Sequence, residues 1–339
     1  MKQSSGSPPA PALGLGAFRF ALAMFVAVTH LWAPAPHGFA AYAVWGFFTL
    51  SGFLMTCVLL DKYGFSVAGI RAYATNRFLR IFPPYYAAAA LGILAVLLLR
   101  ANGIDPTQLN PEFGIPHSVD GWLFPLTLFP GFSREAMPIA VANALGIEVG
   151  FYLLMPVMAR YRVVAWLFLV AGIGQVVAFG LSTESFALRY ATFWPCCLAF
   201  SLGALLAHHR SWLARLAAPA WSASAWLANA MLWFVRPAWP WKLGLYVATL
   251  LSAWMVVSLH ARQPSALDRW LGDLSYPVYL LHTVCGGFAM LWLTPVRGAT
   301  FAVVSLLATI VLSAAFVVLL DRPLQRIKRK PVLVASTVA

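Results

Sequence analysis

The amino-acid sequence predicts an all-α polytopic integral membrane protein with about ten transmembrane helices and both termini in the cytoplasm. Three observations predict it. Hydrophobic residues make up 61% of the 339 residues and charged residues only 10%, against roughly 25% charged in a soluble domain. Apolar runs of roughly the 20 residues that a bilayer span needs recur along the chain. The lysines and arginines gather in alternate links between those runs, as the positive-inside rule requires. The net charge of +13 therefore sits in short links and not on one stripe, which argues against nucleic acid. Membrane lipid headgroups or a soluble anionic co-substrate explain it better. Cys57, Cys196, Cys197 and Cys285 all lie in apolar runs without a CxxC pair. Neither a disulfide scaffold nor a metal site is expected.

In chain order the expected span cores are 16–33, 40–60, 81–99, 138–158, 163–181, 188–207, 217–235, 243–259, 274–293 and 301–320. The first is apolar except for Arg19 and His30. Pro83 and Pro84 fit a kink or break at the start of the third. The fourth contains Glu148. The seventh, rich in Ala and Trp with Ser222, Ser224 and Asn229 inside it, is the least regular; without it the last links would fall on the wrong side. With the N-terminus inside, 17 of the 23 lysines and arginines are cytoplasmic and 6 are external. A further piece, Gly121–Phe129, is too short to cross and reads as interfacial or re-entrant. The external link from Ala101 to Met137 carries Asp105, Glu112, Asp120 and Glu135 and reads as a cap over an external entrance. Residues 1–14 are expected to be a disordered lead, 15–324 the transmembrane domain and 325–339 a basic cytoplasmic tail. The first span is expected to be retained: prolines follow it, and a histidine near its end is foreign to a cleaved signal.

Ionisable groups at membrane depth are costly and point to function by default. Arg19 and His30 are eleven residues apart, hence about 20° apart around a helix and about 16 Å along it. One face carries a cation toward the cytoplasm and an imidazole further out. Arg19 also fits a snorkelling end-anchor, and His30 a polar tie to a backbone carbonyl. Arg77 and Arg80 share a face; they fit a positive-inside flank or a bidentate phosphate clamp. Glu148 must be paired or protonated: it orients a histidine, pairs with an arginine or joins two helices. Ser275, Tyr276, Tyr279 and His282 gather at the start of the ninth span, with Tyr279 and His282 one turn apart.

Together these stretches resemble the membrane-bound acyltransferase-3 family, whose members O-acylate surface polysaccharides, lipopolysaccharide and related acceptors. The likeness runs from about Leu15 to Leu324. Arg19 and His30 are similar to the family's Arg-x10-His element, and WGFFTLSGFLMT (Trp45–Thr56) to its FFxxSGFL stretch. NRFLRIFPPYY resembles its Arg-x-x-Arg element, with Arg77 and Arg80. EVGFYLLMP resembles its Glu-x-x-Phe-Tyr-x-x-x-Pro element, with Glu148. LGDLSYPVYLLH and DRPL resemble the later elements. One departure stands out: the family's Trp-Ser-Leu before the glutamate is Asn143, Ala144 and Leu145 here, which implies a reshaped pocket.

The resemblance implies a multi-pass enzyme of the bacterial cytoplasmic membrane. It would move an acyl group, expected to be acetyl, from acyl-coenzyme A to a hydroxyl of a saccharide, polysaccharide or lipid-linked glycan. No permanently bound cofactor is implied. Arg77 and Arg80, with Arg19, would hold the phosphates of coenzyme A. His30 would act as general base, with Glu148 or another buried carboxylate holding its tautomer. Ser51, Tyr276 or His282 would supply oxyanion stabilisation, with Tyr279 in support. Two other classes fit the physics: a proton-coupled transporter, weakened by the lack of an inverted repeat, and a non-catalytic relative, kept open by Asn143 and Ala144.

Overall fold

Residues 12–36, 38–132, 135–293 and 296–327 are described by a computed structural model. In chain order the helices are α1 (Leu15–Leu31), α2 (Gly38–Val58), α3 (Val67–Ala101), α4 (Val119–Thr127), α5 (Ala142–Arg160), α6 (Arg162–Phe179) and α7 (Phe186–Ala191). Then follow α8 (Phe193–His208), α9 (Arg210–Leu213), α10 (Pro219–Met231), α11 (Leu245–His260), α12 (Ala266–Ala289), α13 (Ala299–Phe316) and α14 (Arg322–Ile327). Among the described residues β-structure is limited to two isolated bridges. Six segments are long and apolar enough to cross a membrane: Gly38–Tyr63, Val67–Ala101, Ala142–Arg160, Arg162–Phe179, Pro240–His260 and Ala299–Ile327. Leu15–Leu31 and Phe193–His208 are shorter apolar helices. The chain is an all-α, multi-pass membrane protein.

Helices α1 and α12 lie side by side and parallel, fastened at both ends. The first turn of α1 exposes backbone donors with no partner in their own helix. Gly14, Gly16 and Ala17 N–H donate to the Asp268 carboxylate at 2.6, 3.3 and 2.8 Å. Asp268 stands in the first turn of α12, where its own N–H donates to the N-capping Ser265 Oγ at 3.0 Å. A Cβ on Gly16 would lie 2.0 Å from the Asp268 carbonyl oxygen, so only glycine permits this approach. At the far end His30 meets His282. Ala12 N–H donates to the Gln263 carbonyl, and Ser265 N–H to the Ala12 carbonyl, each at 3.0 Å. Ala12–Gly14 are therefore tied to the loop before α12 although the sequence placed them in the disordered lead. Residues 1–11, and 328–339 of the basic tail, lie outside the described residues.

Helices α2 and α8 pack antiparallel through reciprocal glycines. A Cβ on Gly52 would meet the Phe200 carbonyl oxygen at 2.2 Å, and one on Gly203 the Thr49 carbonyl oxygen at 2.0 Å. Small residues let backbones close in this way where no hydrophobic effect drives helix association. On the solvent side the Asp61 carboxylate takes both Arg210 Nη1 and Nη2 at 2.7 Å, and pushes that guanidinium's pKa further up.

Three expected elements differ. The third helix begins at Val67 and runs unbroken through Pro83 and Pro84; α12 is tied to this turn, with Tyr276 OH donating to the Ile81 carbonyl at 2.8 Å. The sixth span is broken at Thr192, whose backbone is extended between α7 and α8. The seventh is α-helical only over Pro219–Met231, with a tighter turn at Leu232–Phe234.

The link between α3 and α5 folds back over α5. Short α4 is capped by Ser118, whose Oγ accepts from Gly121 N–H. Phe124 and Leu128 are buried against it. Glu135 accepts from Ser118 Oγ and from His117 N–H. The Ser118 hydroxyl, then the His117 and Ser118 amides, hold this carboxyl below the usual carboxylate range.

Candidate active site

The face of α1 predicted by helical arithmetic opens onto two cavities. The first, at the Arg19 end and called inner for that reason, is about 270 Å³ and is lined by Arg19 from α1, Ser51 from α2, Arg77 and Arg80 from α3, Glu148 and Tyr152 from α5, and Tyr276 and Tyr279 from α12. The second, at the His30 end and called outer for that reason, is about 320 Å³ and is lined by His30, by Asn110 and Glu112 of the α3–α4 link, by Asn143, and by Tyr190 and Ala191 at the α7–α8 break. Val44, Phe48, Ala144 and Tyr279 line both. These four side chains form the wall between the two chambers, with Arg19 in the first and His30 in the second.

Three cations meet one carboxylate in the inner cavity. Glu148 accepts from Ser51 Oγ at 2.6 Å and from Tyr152 OH one turn further along α5. Arg19, Arg77 and Arg80 form no hydrogen bond or ion pair among the described residues, and Arg77 Nε is a buried donor without a partner. Buried polar groups are normally paired. Several unengaged guanidinium donors around one cavity fit an anion with many acceptor oxygens, which arginine binds in a bidentate manner.

Glu148, which the resemblance offered beside other buried carboxylates as the group holding the His30 tautomer, lies in the inner cavity and accepts there from Ser51 and Tyr152. A ring partner of His30 comes from α12. His30 Nδ1 lies 3.0 Å from His282 Nε2. The groups expected near the oxyanion are each engaged within the protein. The Ser51 hydroxyl donates to Glu148, the Tyr276 hydroxyl to the Ile81 carbonyl, and His282 Nδ1 to the Tyr279 carbonyl at 2.8 Å. Tyr279 OH likewise donates to the Val141 carbonyl at 2.7 Å. These groups build and orient the chambers.

The break at Thr192 shapes the outer chamber. An interrupted helix at membrane depth is tolerated where it lines a cavity and its freed groups find partners. Here Asn143 Nδ2 donates to the Ala191 carbonyl and Trp45 Nε1 to the Tyr190 carbonyl, each at 3.4 Å. Asn143, which departs from the family's tryptophan, thus serves the break and lines the chamber. Arg297 fixes the end of α1 by donating from Nη1 to the His30 carbonyl at 3.0 Å and to the Leu109 carbonyl at 3.3 Å. Tyr152, Tyr190 and Arg297 also build the site and are not among the candidates named from the sequence. The i, i+4 spacing from Glu148 signals Tyr152; nothing in the sequence signals Arg297.

Comparison with known proteins agrees with this architecture. A family model described as an acyltransferase domain matches residues 13–319, the stretch that holds both chambers. No curated protein and no solved structure matches the chain. The chain belongs to the acyltransferase-3 family and is an acyltransferase.

Proposed function

We propose that this enzyme takes an acyl group, acetyl in the simplest case, from acyl-coenzyme A on the cytoplasmic side and delivers it to a hydroxyl of a saccharide or glycoconjugate on the outer side. In this reading ten spans cross a bacterial cytoplasmic membrane, both termini are cytoplasmic, and Arg19 marks the inner end of α1. The observation that carries the proposal is the end-to-end placement of the two chambers: unengaged guanidiniums in one, an imidazole in the other, four side chains between.

The charges supply the rest. Coenzyme A carries its phosphates at one end and its thioester at the other. Arg77, Arg80 and Arg19 hold the phosphates at the inner face, where anion and cation stay close to water. The apolar lining of the inner chamber (Phe47, Leu50, Leu54 and Met55 among it) accommodates the uncharged arm. His30 then removes the proton of the acceptor hydroxyl as that oxygen bonds to the acyl carbon. The carbon–sulfur bond breaks, and the coenzyme A thiolate leaves and is protonated. Asn110, Glu112 and Asn143 offer the outer chamber amide and carboxylate groups that suit a polyhydroxylated acceptor.

The test uses the purified full chain in liposomes, acetyl-coenzyme A labelled in its acetyl group, and the polysaccharide portion of a lipopolysaccharide. The parent transfers label to the glycan, and His30→Ala reduces transfer roughly 100- to 10,000-fold, the range of general base catalysis. Undiminished transfer by His30→Ala removes the histidine from the mechanism. Parent protein that never releases thiol from acetyl-coenzyme A removes the proposed donor.

A further inference from the structure

We infer that His282 is a positioning residue that fixes the tautomer of His30, so that His30 turns its lone-pair nitrogen, Nε2, toward the chemistry. The inference rests on the reading of His30 as the general base, and its test separates the two.

His282 Nδ1 lies 2.8 Å from the Tyr279 carbonyl oxygen and 3.3 Å from that of Val278. A carbonyl can only accept, so His282 Nδ1 carries a proton. His282 is fully buried, at 0% exposure. Its ring partners are His30 and the two carbonyls of its own helix. Burying a charge without a counter-charge bonded to it is unfavourable, so the ring is neutral and its Nε2 bears the lone pair. His30 Nδ1 stands 3.0 Å from that lone pair and must therefore be the donor. In a neutral His30 the only ring proton is then on Nδ1, and Nε2 is the basic atom.

The ring geometry supports a directed bond and not a stacking contact. The two ring planes differ by 10° and their centroids are 5.2 Å apart. That separation exceeds the 3.0 Å nitrogen–nitrogen distance by about two ring radii, so the bond runs outward from both rings in line. With the opposite tautomer of His30, two lone pairs would face each other across this distance. The same bond serves the next step. When His30 Nε2 takes the acceptor's proton, Nδ1–H continues to donate to His282, and no group has to turn. In serine hydrolases a carboxylate orients the histidine in this manner; here a neutral imidazole does so, held by its own helix. Arg297, on the His30 carbonyl, fixes the backbone of the same residue.

Two substitutions separate orientation from packing. In His282→Gln the side-chain carbonyl can stand where Nε2 stands and accept from His30. In His282→Leu nothing accepts. Thiol release from acetyl-coenzyme A is measured with glycan or water as acceptor. His282→Gln keeps kcat within about tenfold of the parent, and His282→Leu loses roughly 100- to 10,000-fold, the scale of a misplaced histidine tautomer. KM for acetyl-coenzyme A, set in the inner chamber, changes less than about threefold in both. Nitrogen-15 spectra of histidine-labelled protein, assigned with His30→Ala, show the His30 proton on Nδ1 in the parent and in His282→Gln, and moved or divided in His282→Leu. The inference fails if His282→Leu keeps parental kcat, if its His30 proton stays on Nδ1, or if folded His282→Gln is as inactive as His282→Leu. Should His30→Ala itself remain active, the base assignment falls, while the spectra still decide the tautomer.

Discussion

Arg77 illustrates how one side chain can be read from sequence to energy. Its place three residues before Arg80 puts both on one face of α3, and the fold turns that face into the inner chamber with a buried Nε that has no partner. A charge-assisted hydrogen bond contributes about 1.5–3 kcal/mol. Arg77→Met is therefore expected to weaken coenzyme A binding roughly 10- to 100-fold and to leave kcat within about threefold, because the lost contact is equal in ground and transition states. Calorimetric titration with coenzyme A gives the first number and saturation kinetics the second. An unchanged dissociation constant would leave Arg77 as a flanking charge only. The residues legible in the sequence were those whose partners lie on the same helix: Arg19 with His30, Arg77 with Arg80. The pairing of His30 with His282 spans 252 positions, and no periodicity carries information over that distance. The partners of Glu148 were hidden for the same reason: its depth was readable, but the helix facing it was not.

At the scale of elements, the α1–α12 pair carries both ends of the proposed chemistry, and its register is set by one carboxylate and one glycine. Asp268 takes three backbone donors of the α1 start, and Gly16 admits the Asp268 backbone at a distance no side chain allows. Removing the carboxylate leaves buried donors unsatisfied at about 1–3 kcal/mol each. Asp268→Ala is expected to lower the midpoint of thermal unfolding in detergent by about 5–10 °C. Asp268→Asn, which keeps an acceptor, falls by less. Gly16→Ala forces the two backbones apart, so it lowers transfer as well as stability, since Arg19 and His30 move with α1. Dye-reported unfolding and acetyl transfer measured together check this; a Gly16→Ala protein matching the parent in both would show that the close approach is dispensable. The six segments long and apolar enough to cross a membrane were legible because apolar length needs no partner. The break at Thr192 was not, because Phe186 to His208 reads as one apolar run and only its place beside Asn143 and Trp45 makes an interruption tolerable. The unbroken course of α3 through two prolines was hidden likewise: propensity favours a break, and tertiary packing overrides it.

For the molecule as a whole, the question is whether the two chambers work as one device, and the wall between them decides it. Val44, Phe48, Ala144 and Tyr279 line both sides, and Ala144 is the smallest of the four. Enlarging it narrows the passage without touching Arg19, Arg77 or Arg80, where the phosphates are proposed to bind, or His30, where the proton is proposed to go. Ala144→Leu is therefore expected to bind coenzyme A within about threefold of the parent yet to transfer acetyl groups at least about 100-fold more slowly, the penalty typical of a reacting centre displaced by an ångström. Ala144→Ser adds one atom and should stay near parental activity. Overpacking itself costs about 1–3 kcal/mol, so size-exclusion profiles and unfolding midpoints accompany the comparison and separate a blocked passage from a damaged fold. A folded Ala144→Leu enzyme that binds coenzyme A and transfers at the parental rate would mean that the acyl group does not pass this wall. The two chambers would then be separate sites that happen to share four side chains. Binding without transfer would instead make α1 the axis of a single path, with the charged end of the donor kept at Arg19 and only its reactive end admitted toward His30.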